Sequence, residues 1–348
     1  MKKSLKVIGF VMFLGLGIGA VYGYSIYSKV SEPNILVGAD KSKEFFIPSN
    51  SNEKDVLSLL KKQEILSSDE NLAWLFKQKN YKGRNVVPGK YTLEPNWSNN
   101  DLVNHLRAGR GVEEVNVQFN QLRTKADLAG RLAKNIETDS LTIINWLNNP
   151  DSIKRYGFNQ NTIISMFIPN TYRVKWNTSA PELMKRMGKE FSKFWNSDRK
   201  EKLNSIGLTE SQAVTLASIV YWETKLTEDM PRVAGVYMNR IRVGMPLQAD
   251  PTVIFAIGDF SIQRVLTKHT EVNSPYNTYK NAGLPPGPIL IPPASYVDAV
   301  LNYEKHDYFY FVAKEDFSGA SYFSKNLSQH NIYADRFRRA LNERKIYR

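Results

Sequence analysis

A glutamate at the end of an apolar helix is the first residue whose type and position suggest chemistry. Thr209 and Gln212 form a Thr-x-x-Gln capping box, which opens a helix from Glu210 to about Thr224. Its apolar stripe is Ala213, Leu216, Ile219 and Val220. At about 100° per residue, Glu223 follows Leu216 by two turns and returns to the same face. Apolar surroundings and the negative end of the helix dipole both disfavour ionisation there. A carboxyl kept protonated near neutral pH can serve as a general acid. The competing reading is that Glu223 lies on the last turn and reaches water, as most helix carboxylates do.

Polar residues gather after this helix. Glu228 to Arg242 reads as a second helix with Pro231 near its first turn. Gln248, Asp250 and Thr252 then alternate in what reads as a short extended segment, which places three polar groups on one side. Ser274-Pro-Tyr-Asn-Thr-Tyr279 and Gly283-Leu-Pro-Pro-Gly-Pro288 are stiff loops that lose little entropy on ordering. Tyrosine rings stack on sugar C–H faces, and Asn and Gln bond hydroxyl and acetamido groups. The composition narrows the alternatives. With no cysteine there is no thiol nucleophile, disulfide or Cys-based metal site. The four histidines, His105, His269, His306 and His330, include no pair at the spacing of a helical zinc site. No metal or other cofactor is expected.

These groups need a scaffold, and the chain is long enough for two domains at 348 residues. Lys2, Lys3 and Lys6 precede an uncharged run from Val7 to Ser28, which Lys29 closes. That run reaches the roughly 20 residues needed to cross a bilayer. The rival is a cleaved signal peptide, but no clean Ala-x-Ala site follows, and Tyr22, Tyr24 and Tyr27 suit a membrane interface. The expectation is a single-pass anchor in the cytoplasmic membrane over residues 7–28. Its basic N-terminus stays in the cytoplasm and everything after it lies outside. The net charge of +13 then lies almost wholly outside the cytoplasm, so nucleic acid is not an expected partner. Part of that charge, at Arg336, Arg338, Arg339, Arg344, Lys345 and Arg348, reads as a solvated face of a C-terminal helix.

The expected organisation is a cytoplasmic tip and anchor over 1–30, a polar linker over 31–42, a small α/β module over 43–111 and a larger domain over 112–348. In the module, Glu44–Ile47 and Val87–Leu93 read as strands. Asn50-x-x-Glu53, Ser67-x-x-Glu70 and Ser98-x-x-Asp101 read as helix caps, and Gly109 as a helix stop. In the larger domain, Val112–Phe119 alternates like a strand, and 124–135, 139–147 and 181–195 read as helices. Strands and helices mix without a βαβ rhythm, so the fold class is α+β.

Several runs together resemble the endolytic murein transglycosylase (YceG-like) family. They are Ala217-Ser-Ile-Val-Tyr-Trp-Glu-Thr224, Val236-Tyr-Met-Asn-Arg-Ile-Arg-Val-Gly-Met-Pro-Leu-Gln-Ala-Asp-Pro-Thr-Val-Ile254, Tyr276-Asn-Thr-Tyr279 and Gly283-Leu-Pro-Pro-Gly-Pro-Ile289. Phe167-Ile-Pro-Asn-Thr-Tyr172, Tyr310-Phe-Val-Ala313 and His330-Asn331 resemble further family signatures. The resemblance implies a LysM-like N-terminal module and a YceG-like catalytic domain. It also implies a membrane-anchored enzyme that cuts the β-1,4 bond between N-acetylmuramic acid and N-acetylglucosamine inside peptidoglycan strands, leaving 1,6-anhydro ends. Its partners would be glycan strands and peptidoglycan synthases, and its role the termination of strand elongation.

The family's catalytic glutamate falls on Glu223. Asn170, Tyr172, Asn239, Arg240, Gln248, Asp250, Asn277, Tyr279, His330 and Asn331 would bind substrate or support Glu223. Four positions depart from the family pattern: Tyr221 stands where the motif has a glutamate, Ile164-Ser165 where it has Glu-Gly, and Asn170 where it has Asp. The alternatives are a hydrolytic muramidase and a non-catalytic wall-binding scaffold of the synthesis machinery.

Overall fold

The structure is a computed structural model that describes residues 2–37, 41–109 and 111–344, with side chains from Ile8 onward. Residues 38–40 of the expected linker, and Lys345 and Arg348 of the expected basic face, lie outside the described residues, as do the side chains of Lys2, Lys3 and Lys6. The chain divides into two compact units. The first holds Met1–Asn116 with the short segments Asn135–Glu137 and Arg173–Thr178; the second holds the rest.

The first unit begins with helix α1, Lys2–Ser31. Its stretch Ile8–Ser31 is apolar enough and, at 24 residues, long enough to span a bilayer, and none of the span is buried. Strand β1 (Lys43–Ile47), helices α2 (Glu53–Lys62) and α3 (Asp69–Gln78), strand β2 (Gly89–Leu93) and helix α4 (Asn99–Ala108) follow. β1 and β2 pair antiparallel, Phe45 opposite Tyr91. Their alternate residues join Val56, Leu60, Leu72, Phe76, Leu102 and Leu106 in one core.

Two expected caps move. The α2 box is Asn52 with Asp55, because Asn50 takes a left-handed turn two residues earlier. Ser68, not Ser67, precedes α3, and its side chain makes no capping bond. The Ser98–Asp101 box and the left-handed Gly109 stop of α4 are as expected.

Residues 33–37, expected as linker, are instead packed. Ile35 and Val37 enter the core, and buried Asn34 spends its whole amide. It donates to Ser68 O and Asn99 Oδ1 and accepts from Ser67 Oγ and Ser68 N. A buried amide saturated in this way fixes the segment that carries it.

Strand β3 (Glu114–Phe119) is followed by α5 (Lys125–Ala133), α6 (Ser140–Asn148), α7 (Pro150–Lys154) and β4 (Asn170–Lys175). Then come α8 (Ala180–Phe194), α9 (Ser197–Ile206), α10 (Glu210–Glu223), α11 (Met230–Arg242), α12 (Asp250–Ile257), α13 (Thr267–Thr270) and α14 (Ala294–Leu301). The chain closes with hairpin β5 (Tyr310–Ala313) and β6 (Ser321–Ser324), then α15 (Leu327–Glu343). The class is α+β, with two-stranded sheets only among the described residues.

Helix α10 is the axis of the second unit. Every residue from Ala213 to Val220 is buried, so the helix is enclosed on all sides and not only along the expected stripe. Ser218 makes this possible by donating to Thr215 O and accepting from Ile289 N. Helices α11 and α14 pack on it through Val233, Tyr237, Val297 and Val300.

Gly235 lets the 304–306 loop approach α11: a Cβ there would lie 2.3 Å from the Glu304 carbonyl oxygen and 2.7 Å from His306 Nε2. Helix propensity alone would favour alanine by about 1 kcal/mol. The clash with a backbone atom outweighs it, at about 1–3 kcal/mol for an overpacked site. Gly235→Ala is therefore expected to lower the thermal midpoint, and a midpoint at or above wild type would show that the loop can yield.

Candidate active site

The site grows from the last turn of α10. Its capping box holds, with Thr209 N donating to Gln212 Oε1 and Gln212 N to Thr209 Oγ1. The helix stops at Glu223 because Thr224 turns extended, its carbonyl taken by the Tyr296 hydroxyl. Glu223 is thus the final helical residue, at the negative end of the dipole, and faces α11. There Tyr237 donates its hydroxyl to Glu223 Oε1 at 2.9 Å.

One turn further along α11, Arg240 is 7% exposed and forms no ion pair among the described residues. Its guanidinium donates to backbone carbonyls instead: Nε to Phe309 at 2.7 Å, Nη1 to Leu247 at 2.6 Å and to Pro246 at 3.4 Å. The positive charge therefore acts on the neighbouring glutamate without forming a direct ion pair with it.

A second carboxylate enters from α12. Gln248 sits in a left-handed turn, its N–H on Thr278 O, and the Thr278 hydroxyl accepts from Ala249 N. This pins the start of α12 so that Asp250 meets the Tyr279 hydroxyl at 2.5 Å. Leu247, Tyr310, Phe311, Leu327 and His330 complete a cleft of about 320 Å³ with Glu223, Tyr237, Arg240, Gln248, Asp250 and Tyr279. The His330 ring lies 5.4 Å from that of Tyr310, and its Nδ1 is buried with no partner among the described residues.

The electrostatics follow from this packing. Burial is the largest influence on Glu223; the Tyr237 hydrogen bond opposes it, the Asp250 charge adds to it and Arg240 opposes it. The carboxyl is pushed up to about 7. Burial and the Glu223 charge raise Tyr237 well above the usual phenol range, so it remains a donor. Burial, with the Arg240 charge, lowers His330 and keeps its ring neutral. A carboxyl that titrates near neutrality in an open cleft can give a proton and take one back at the same pH.

Of the expected site residues, the structure gathers Glu223, Arg240, Gln248, Asp250, Tyr279 and His330 around this cleft. The others face elsewhere. Asn239 spends its amide on the carbonyls of His306 and Tyr308. Asn277 spends its own on Thr270 and Val272, and accepts from Tyr279 N. Tyr172 is buried against Phe119 and bonded to Ile168 O, and the exposed Asn170 accepts from the next backbone N–H. Asn331 is exposed and lines no part of the cleft.

The extended segment expected over 248–252 is a turn and the first residues of α12, because Asp-Pro opens a helix there. Thr252 consequently points inward, onto Ala249 O and Thr278. Tyr237 was missed. Its helix face was legible, but its partner is fourteen residues away across a helix pair. The departures at Tyr221, Ile164 and Ser165 also lie outside the cleft lining.

A family model described as the YceG-like family matches residues 45–336. The chain belongs to the YceG-like family. Relatives of this YceG-like chain include the endolytic murein transglycosylase of Bacillus subtilis (strain 168), 30% identical over 345 residues, 94% of this chain and 92% of the relative. The endolytic murein transglycosylase of Streptococcus pneumoniae serotype 2 is 27% identical over 93% of this chain, which spans 64% of that longer protein. A 2.6 Å crystal structure of a yceG-like protein from Listeria monocytogenes superposes with a TM-score of 0.55 at 27% identity, covering 84% of this chain and 98% of that one.

Proposed function

We propose that this YceG-like chain is an endolytic lytic transglycosylase of peptidoglycan with Glu223 as its acid and base. The observation that carries the reading is a carboxyl raised to about 7 in an open cleft, beside a fixed cation and a phenol donor. Protonated Glu223 gives its proton to the glycosidic oxygen as the bond from muramoyl C1 breaks. The carboxylate so formed takes the proton of the sugar's own C6 hydroxyl, whose oxygen bonds to C1. A 1,6-anhydro ring closes, no water is consumed and Glu223 is protonated again.

Gln248, Asp250, Tyr279, Arg240 and His330 line the path of the sugar. The Asp250 charge would also favour the positive C1 centre. Asp250 supports a second reading, a hydrolytic muramidase, since a second carboxylate can hold a water for attack. The two part company at the product, which is lighter by one water in the anhydro case.

The anchor reading rests on Ile8–Ser31, which is long enough to cross a bilayer. We place the second unit outside the cytoplasmic membrane, against glycan strands and beside the synthases whose strands it would end. The order β1–α2–α3–β2, with its antiparallel strand pair, supports a LysM-like module over about 43–111.

The test is a pH–rate profile on purified sacculi. An acid that must start protonated gives a rate that holds below about 7 and falls above it. The Tyr237 hydroxyl stabilises the charged carboxylate, so Tyr237→Phe should move the falling limb to higher pH by about one pH unit. A limb that stays in place, or moves to lower pH, contradicts the role given to this pair.

A further inference from the structure

We propose that a second pocket, beside the Glu223 cleft, holds a carboxylate of the peptide branch carried by the same glycan strand, through Arg123. The proposal rests on the transglycosylase reading and adds where the branch goes. The pocket has about 220 Å³, and its lining includes Arg123, Trp222, Pro251, Ile254, Phe260 and Gln263. Trp222 directly precedes Glu223, and Pro251 directly follows Asp250. Neighbouring Cα atoms are about 3.8 Å apart, so the two cavities flank the same two chain positions.

The Arg123 guanidinium carbon lies 4.3 Å from the centre of the Trp222 ring and 4.5 Å from that of Phe260. Among the described residues it makes no ion pair and no hydrogen bond. Rings satisfy the face of a guanidinium and leave its N–H edge unpaired. That edge matches a carboxylate through two parallel bonds.

In a peptide-bearing strand the lactyl carboxyl of each muramoyl sugar is tied up as the amide that attaches the peptide, so the free carboxylates are those of the peptide branches. The volume falls below the roughly 300–1,000 Å³ of sites for drug-sized ligands, which suits a terminal residue better than a saccharide. Ile254 and Phe260 give that residue an apolar wall.

Short soluble glycan strands would be titrated into the full-length Glu223→Gln protein by calorimetry, once bearing their peptides and once stripped by an amidase, the lactyl carboxylate freed on each stripped sugar serving as the control for a carboxylate held close to the ring. Peptide-bearing strands should bind roughly tenfold tighter, the worth of a charge-assisted pair. Adding Arg123→Gln should bring them down to the stripped value while leaving stripped strands unaffected, which also reports an intact fold. Arg123→Lys, which keeps the charge without the planar fork, and Phe260→Ala, which removes one ring, should each lose part of the preference.

A preference that survives Arg123→Gln overturns the proposal. So does a parent that binds both strands equally, or an Arg123→Gln protein that loses stripped strands as well. Failure of the catalytic reading would look different: Glu223→Gln would cut the strands, and the affinities, compared within one background, would still decide the pocket.

Discussion

Glu223→Gln should leave a folded protein whose release of strand fragments from sacculi falls at least about a thousandfold, within the range for loss of a general acid. The same substitution should change stability in a pH-dependent way. The folded carboxyl keeps its proton up to about 7, whereas the unfolded chain releases it near 4.5. Between those values the native state holds more protons than the unfolded one, so wild-type stability falls as pH rises through the window. Above 7 the cost is complete, at about 3 kcal/mol. Glutamine does not titrate and still accepts the Tyr237 hydroxyl. The variant should therefore unfold at a clearly higher temperature than wild type at pH 8 and at nearly the same temperature at pH 4. Equal midpoints at pH 8 would mean that the carboxyl is freely solvated, and the source of its acidity would be lost with it.

Arg240→Ala should be the most damaging single change to the cleft. The guanidinium satisfies the carbonyls of Phe309 and Leu247, which join hairpin β5–β6 and the 246–248 turn to α11. Its loss leaves buried acceptors unpaired, at about 1–3 kcal/mol each, besides a cavity. A total of roughly 3–5 kcal/mol is expected, read as a shift of the denaturant midpoint without a change in slope. Arg240 also holds the Glu223 carboxyl down, so any folded fraction should show an alkaline limb moved to higher pH. Lysine should rescue the charge better than the stability, because one ammonium cannot span both carbonyl groups. A variant as stable as wild type would show that the cleft wall stands without the guanidinium.

What could be read from the chain, and what could not, follows from range. Glu223 was legible because helical periodicity and a capping box are local, and both survive in α10. Arg240, Gln248, Asp250, Tyr279 and His330 came from motif positions and do meet in one cleft. The amides misled. Asn239 and Asn277 have the right type for sugar recognition, yet each is consumed by carbonyls of loops it must hold. Residue type cannot distinguish those uses, because the competing acceptors are set by tertiary packing. The same limit hid Tyr237, and it hid Arg123, whose two ring partners come from α10 and from the loop after α12. Around the Asp-Pro step, alternation suggested an extended segment, whereas proline at the first turn of α12 prevailed.

The decisive measurement is the mass of the new ends released from purified sacculi by the wild-type protein and by Glu223→Gln. The account predicts 1,6-anhydro-muramoyl ends from wild type, cut within strands, and essentially none from the variant. Ends heavier by one water from wild type would replace the transglycosylase by a muramidase, and anhydro ends from both proteins in equal amount would remove Glu223 from the chemistry.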